Sequence, residues 1–155
     1  MGNDMTRVLN AVLLFCCTCL SGLAIADQIS VSNAWTRAGA PGQTVAAIYF
    51  DIVSMVDAKL VAVDADIAEV AEFHVMNVVD GTMRMRAVAA IDLPAGKKVS
   101  LKPGGVHIML FDMKNRLRAG ERVPIRLSVE DVAGTKTELM IQADVRNLDG
   151  SKVRD

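Results

Sequence analysis

The amino-acid sequence predicts a single all-β domain, and two observations support that prediction. Short runs rich in Val, Ile and Leu alternate with Gly, Pro and Asp throughout the chain after its first 26 residues. Many short strands separated by turn residues are typical of a β-sandwich or a small barrel. The chain also has no repeat, low-complexity stretch or linker, and its 155 residues suffice for one domain with a buried core.

The boundaries of the candidate strands are set by the turn residues between them. Strands are predicted at residues 29–35, 44–54, 60–63, 72–79, 82–91, 99–102, 106–112, 123–130 and 137–145. The turn signals are Gly39-Ala40-Pro41-Gly42, Asp80-Gly81, Pro94-Ala95-Gly96, Pro103-Gly104-Gly105 and Ala133-Gly134. We expect a single helical turn at residues 66–70.

The first segment, residues 1–26, is predicted to be a secretory signal peptide. Arg7 supplies a basic start, residues 8–23 form an apolar run, and Ala24-Ile25-Ala26 is a small-residue cleavage site. A transmembrane anchor is the alternative, but the run is short for a bilayer span of about 20 residues. Cleavage after Ala26 leaves residues 27–155 as the mature β domain.

All three cysteines of the chain, Cys16, Cys17 and Cys19, lie inside this leader. None follows the small-residue box that lipid-modified cysteines need, so we expect no stable membrane anchor. A mature chain without cysteine forms no disulfide, no thiolate nucleophile and no thiolate metal site. The net charge of −1 does not indicate nucleic-acid binding.

Four soft-metal ligands stand out in the mature chain: His74, Met85, His107 and Met109. They follow the spacing His-x10-Met-x21-His-x-Met and include both histidines of the protein. His107 and Met109 stand two apart in a predicted strand, so their side chains point to the same face. Imidazole suits copper among several metals, whereas thioether sulfur selects soft ions, above all Cu(I). The set therefore predicts a copper site.

The hairpin at Asp80-Gly81 is predicted to bring His74 and Met85 together. Asp-Gly favours a two-residue type I′ turn, in which both central residues have positive φ. That turn sets Met76 opposite Met85 and makes His74 and Met85 diagonal neighbours about 7–8 Å apart. Met76 and Met83 share this face and are candidate substitute ligands.

The remaining methionines have a simpler interpretation, because a lone methionine in a β protein is usually a core filler. We apply that interpretation to Met55, Met140 and Met113. The ligands themselves are expected to be exposed at a loop rim beside Pro103-Gly104-Gly105, where a partner can displace them one at a time.

The residues around the ligands resemble a known family, the periplasmic copper chaperones called PCuAC. The resemblance is carried by residues 101–110 and by Met83-Arg84-Met85-Arg86, and the family motif falls on the four ligands without a gap. It extends to residues 33–37, 46–50 and 117–120, and so covers essentially the whole mature chain. The chain departs from the family at residues 51–55, which lack an Asn-Gly turn, and at residues 149–155, which lack the His and Met of some members' tails.

This resemblance implies a cupredoxin-like Greek-key β-barrel or sandwich that binds one Cu(I) through His74, Met85, His107 and Met109. We expect residues 27–155 to be the copper-binding domain of a periplasmic carrier that is a monomer and not an enzyme. The implied partner is a copper-accepting protein, either a cytochrome c oxidase subunit or an assembly factor for its binuclear copper centre. The departure in the C-terminal tail argues against a second copper site.

Two other functions stay open on the residues alone. One is a metal-free β-sandwich used for binding or adhesion, which a copper titration would distinguish. The other is a blue-copper electron carrier, which is disfavoured because that site needs a cysteine thiolate together with two histidines. An enzyme is least supported, since no Ser/His/Asp order or close carboxylate pair stands out.

Overall fold

The structure is a computed structural model that describes residues 28–153. Within that range it contains ten strands and no helix, which confirms the predicted all-β class. The described residues accordingly include no helix that could span a membrane. The predicted signal peptide, residues 1–26, lies outside the described residues. The strands are β1 (Ile29–Arg37), β2 (Ala46–Ser54), β3 (Ala58–Asp64), β4 (Val70–Val79), β5 (Thr82–Val88), β6 (Ile91–Leu93), β7 (Lys98–Leu101), β8 (Val106–Phe111), β9 (Arg122–Asp131) and β10 (Lys136–Arg146).

The ten strands form one sheet in which several neighbours in space are distant in sequence. The order is β5-β4-β8-β2-β1-β10-β9-β3-β6, and β7 pairs with a second stretch of β2. β1 and β10 run parallel, whereas the other pairs are antiparallel. The sheet curls until β3 contacts β4. As a result β8 lies between β4 and β2, and this crossover positions the candidate site.

Alternate residues of the strands fill the core, as the two-residue period of a strand requires. In β2 the inward side chains are Ile48, Phe50 and Ile52, all buried. Burying one such side chain stabilises the fold by about 1.5–3 kcal/mol. β9 adds a second buried row: Val123, Ile125, Leu127 and Val129. These rows hold the curled sheet together.

The β4–β5 hairpin has the predicted turn and register. Asp80 and Gly81 have φ angles of 52° and 76°, as the two central residues of a type I′ turn require. Met76 lies directly opposite Met85. The local chemistry of the Asp-Gly pair therefore fixes which side chains of the hairpin share a face.

Two predicted elements differ from the structure. The single strand predicted at residues 82–91 is interrupted. Its first part, β5, pairs with β4, whereas the chain that follows forms β6 and pairs with β3. Ile91 and Leu93 of β6 are buried there, so burial of these two side chains favours pairing with β3. The helical turn expected at residues 66–70 is instead a hydrogen-bonded turn, in which Ala68 N–H donates to the carbonyl of Ala65 at 3.0 Å.

Candidate metal centre

The candidate site is built on β5, β4 and β8, on the sheet face that points away from the core. His74 of β4 lies directly opposite His107 of β8. Their neighbours Phe73 and Ile108 are buried in the core. Because successive side chains of a strand alternate between faces, both imidazoles project from the outer face. Their ring centroids are 6.1 Å apart.

His107 is oriented by its own loop and presents one nitrogen to a methionine. Its Nδ1–H donates to the carbonyl oxygen of Gly105, with 2.9 Å between the heavy atoms. In a neutral imidazole the other nitrogen, Nε2, then carries a lone pair. Nε2 lies 3.3 Å from the Sδ atom of Met85. A nitrogen and a sulfur donor from different strands therefore converge on one point.

The separation of these two donor atoms fits two ligands of one metal ion. At metal–nitrogen and metal–sulfur bond lengths of about 2.0 and 2.3 Å, a tetrahedral angle places the donors about 3.5 Å apart. The observed distance between His107 Nε2 and Met85 Sδ is 3.3 Å. A small outward movement of the flexible Met85 side chain is enough to admit an ion.

His74 contributes an imidazole with one paired and one unpaired nitrogen. Its Nε2 lies 2.9 Å from Oε2 of Glu72, two positions earlier on the same face of β4. Its Nδ1 is buried and has no hydrogen-bond partner among residues 28–153. Buried polar atoms without a protein partner are uncommon, and a nitrogen that binds a metal ion is one explanation for them. The donor set thus fits a bound metal.

Met109 lies on the same face of β8 as His107 and opposite Glu72 of β4. Its half-buried side chain lines a cavity of about 250 Å³ together with Tyr49 and Arg37. The structure therefore places Met109 at the border of the site, beside the contact between the imidazole and the thioether. A methionine has three rotatable side-chain bonds, so its sulfur can turn from this cavity toward the histidines.

The hairpin holds two further methionines on the same face. Met76 is half-buried opposite Met85, and Met83 is 57% exposed nearer the hairpin tip. Elsewhere, Met113 packs against the core as predicted. The core-filler prediction is wrong for Met55 and Met140, which are both exposed.

The expected exposure at a loop rim is correct for Met85 and wrong for both histidines, and Met109 is half-buried. Met85 is 48% exposed, whereas His74 and His107 are 8% and 4% exposed. Two aromatic rings cover the imidazoles on the outer face. The ring centroid of Phe111 is 5.8 Å from that of His74, and the ring centroid of Tyr49 is 6.4 Å from that of His107.

Tyr49 covers the β8 side of the site without adding charge. Its ring centroid is 4.7 Å from that of Trp35, which follows an irregularity in the pairing of β1 with β2. Burial raises the pKa of the Tyr49 phenol, and the nearby Arg37 guanidinium offsets part of that rise. The phenol therefore stays neutral beside the imidazoles.

Sequence reasoning missed Glu72, Phe111 and Tyr49 as parts of this site. The two-residue period of a strand was enough to find the first two, since Glu72 precedes His74 by two positions and Phe111 follows Met109 by two. Tyr49 carried no local signal. It reaches the site because β2 pairs with β8, which is a long-range event.

Comparison with known proteins relates the chain to a family described as putative lipoproteins. Residues 29–143 match the family model described as LpqE-like, putative lipoprotein LpqE-like. The chain is 32% identical over 109 residues to the putative lipoprotein Lxx21020 of Leifsonia xyli subsp. xyli (strain CTCB07). That alignment covers 68% of this chain, and the chain spans 64% of the relative's length.

Solved PCuAC domains share the fold. The apo PCuAC domain from PmoF1 is 30% identical with a TM-score of 0.63, over 77% of this chain and 94% of that domain. The copper-bound PCuAC domain from PmoF2 is 27% identical with a TM-score of 0.63, over 77% and 93%. The solution structure of CuI-DR1885 from Deinococcus radiodurans is 26% identical with a TM-score of 0.59, over 78% and 81%. These similarities confirm the predicted cupredoxin-like fold.

Proposed function

This chain belongs to the LpqE-like family, and we propose that it carries one Cu(I) ion and passes it to a copper-requiring protein. The main support is the 3.3 Å approach of His107 Nε2 to Met85 Sδ, on strands that β4 separates. An imidazole and a thioether that converge beside a second buried imidazole form a donor set for a soft metal. Two similar structures, the PmoF2 domain and CuI-DR1885, are described as holding copper.

In the proposed complex the ion is bound by His74, Met85, His107 and Met109. All four donors are neutral, and the thioethers favour Cu(I) over Cu(II). The two histidines lie on adjacent strands, and Met85 already contacts His107. Met109 joins the set by turning out of the neighbouring cavity.

A carrier fits this arrangement better than an electron-transfer protein or an enzyme. A blue-copper site needs a cysteine thiolate, and the three cysteines of the chain all fall within residues 1–26. The exposed Met85 faces solvent while the histidines are buried. A thiolate from an acceptor protein can therefore replace Met85 first, while the histidines still hold the ion.

The proposed setting is the periplasm, after cleavage of the signal peptide behind Ala26. The proposed acceptor is the binuclear copper centre of cytochrome c oxidase, reached directly in its subunit or through an assembly factor. Both the family model and the Leifsonia relative are named as putative lipoproteins. The first residue of the mature protein therefore distinguishes a free carrier from a lipid-anchored one. Mass spectrometry of the exported protein should find Asp27 as its first residue. A lipid-modified cysteine as the first residue would instead show that the carrier is anchored to a membrane.

Anaerobic titration with Cu(I) against a chromogenic chelator tests the carrier function. We expect one tight equivalent per chain, because residues 149–155 contain neither His nor Met for a second site. Mixing the loaded protein with a soluble acceptor domain that binds copper through two cysteines should then move the ion to the acceptor. A protein that binds no Cu(I), or one from which such an acceptor gains none, contradicts the proposal. Met140→Leu, on the distant strand β10, is the control and should behave like the wild type.

A further inference from the structure

The two buried histidines are each held by an oxygen, but through different ring nitrogens. Building on the proposed function, we propose that Glu72 is a positioning residue that fixes His74 as its Nε2–H tautomer. His74 then binds copper through Nδ1, whereas His107 binds it through Nε2. The contact of His74 Nε2 with Glu72 and the unpaired His74 Nδ1 together carry this assignment.

The contact between Glu72 and His74 decides where the proton of the imidazole lies. Oε2 of Glu72 is 2.9 Å from Nε2 of His74, which is hydrogen-bonding distance. An ionised carboxylate only accepts hydrogen bonds, so Nε2 must be the donor. A neutral imidazole has a single N–H, so the lone pair is left on Nδ1. Glu72 therefore determines which nitrogen of His74 is free to bind a metal.

The described residues around Nδ1 of His74 offer this lone pair no hydrogen-bond donor. Nδ1 of His74 is buried and accepts no hydrogen bond from residues 28–153. A buried acceptor without a donor destabilises a protein, because it lost its hydrogen bond to water on folding. A bound Cu(I) ion supplies the missing partner.

In His107 the two ring nitrogens have the opposite roles. Its Nδ1–H donates to the carbonyl of Gly105, and its Nε2 faces Met85. Carboxylate or carbonyl oxygens on the remote nitrogen commonly fix the tautomer and ring orientation of metal-bound histidines. Glu72 can play this part because it projects from the same face of β4 as His74, with nearly half of its side chain in solvent.

Long-range ¹H–¹⁵N NMR of the protein labelled at histidine reads both tautomers before any copper is added. We expect Nε2–H for His74 and Nδ1–H for His107. Glu72→Ala should let His74 exchange between tautomers, whereas Glu72→Gln keeps an acceptor and should retain Nε2–H. The matched control is Glu69→Ala, which removes a carboxylate paired with Lys114 at 3.3 Å and should change neither tautomer. An Nδ1–H tautomer of His74 in the wild type overturns the inference.

Anaerobic addition of Cu(I) to the same samples identifies the ligand atoms. The nitrogen resonances that shift should be Nδ1 of His74 and Nε2 of His107. Glu72→Ala should weaken Cu(I) binding by about 10–100-fold, as loss of an outer partner typically does, and Glu72→Gln by less. A shift at Nε2 of His74, or wild-type affinity in Glu72→Ala, overturns this inference and leaves the carrier function standing. No response at either histidine overturns the carrier function itself.

Discussion

The histidine half and the methionine half of the site lie in opposite surroundings. His74 and His107 are buried side by side within the sheet, on β4 and β8. Met83 and Met85 are exposed on β5, which lies at one edge of the described sheet and pairs with β4. The two imidazoles of the proposed ligand set are therefore held within the sheet, whereas the hairpin ligand Met85 stands at its margin. The fourth proposed ligand, Met109, is half-buried on β8 beside His107.

This contrast separates the binding of copper from its exchange. Hydrogen bonds to Glu72 and Gly105 orient the two imidazoles, so their nitrogens are in place before an ion arrives. The side chains of Met83 and Met85 are flexible and exposed, so they can close over an ion or give way to an incoming ligand. We expect the histidine half to set most of the affinity and the methionine half to set the rate of transfer.

Removing one histidine should break the rigid half and have the largest effect. His107→Ala should lower Cu(I) affinity by at least about 100-fold. Loss of a residue that only hydrogen-bonds a metal ligand typically costs up to that much, and His107 is itself a proposed ligand. Because His107 is buried, the change should also cost about 1–3 kcal/mol of folding stability, by removing its packing contacts and its hydrogen bond to the Gly105 carbonyl. Chelator competition and urea unfolding measure the two effects. Affinity within a few-fold of wild type would show that the histidine half is not the anchor.

Changing three hairpin methionines to leucine removes the sulfur of the flexible half at nearly constant side-chain volume. We expect the combined change of Met76, Met83 and Met85 to lose much more Cu(I) affinity than Met85→Leu alone. The reason is that Met76 lies opposite Met85, and both Met76 and Met83 share its face. A triple variant that binds no worse than Met85→Leu would restrict the sulfur ligands of the hairpin to Met85.

The single substitution Met85→Leu should be milder, with about a tenfold loss of affinity, of the size expected for one replaceable partner. Met76 or Met83 can take the place of the missing sulfur. Met76→Leu alone should be nearly silent, and stopped-flow measurement of copper transfer should show faster release from Met85→Leu. Slower release from that variant would place the exchange step elsewhere.

Straining the hairpin turn should give the smallest effect and confine it to the methionine half. Gly81 has a φ angle of 76°, where an alanine costs about 1–2 kcal/mol. Gly81→Ala should therefore lower Tm by several degrees and weaken Cu(I) binding a few-fold, without changing the NMR signals of the histidines. The matched control is Gly134→Ala, at a φ of 83° in the turn between β9 and β10. It should lower Tm similarly and leave copper affinity intact. An equal loss of copper affinity in both variants would contradict the assignment of the β4–β5 hairpin to the copper site.

The methionine half could be predicted from the sequence because it depends on local chemistry. The Asp80-Gly81 pair fixes the turn, and the two-residue period of a strand then assigns Met76 and Met85 to one face. The pairings of β1 with β2 and of β9 with β10 also join strands that are adjacent along the chain.

The histidine half depends on long-range pairing, which a single sequence does not specify. His74 meets His107 because β8 returns to β4 after the chain has passed through β5, β6 and β7. The burial of His107 depends on Tyr49 of β2, and the break between β5 and β6 depends on pairing with β3. Each of these contacts is made only when the whole sheet has assembled, so the buried state of the histidines was not visible in the sequence.

X-ray absorption at the copper edge of the Cu(I)-loaded protein tests most directly that one ion joins the two halves. We predict a shell that contains both nitrogen at about 2.0 Å and sulfur at about 2.3 Å. His107→Ala should reduce the nitrogen contribution, and the combined change of Met76, Met83 and Met85 to leucine should reduce the sulfur contribution. A shell of nitrogen without sulfur, or of sulfur without nitrogen, would contradict the account.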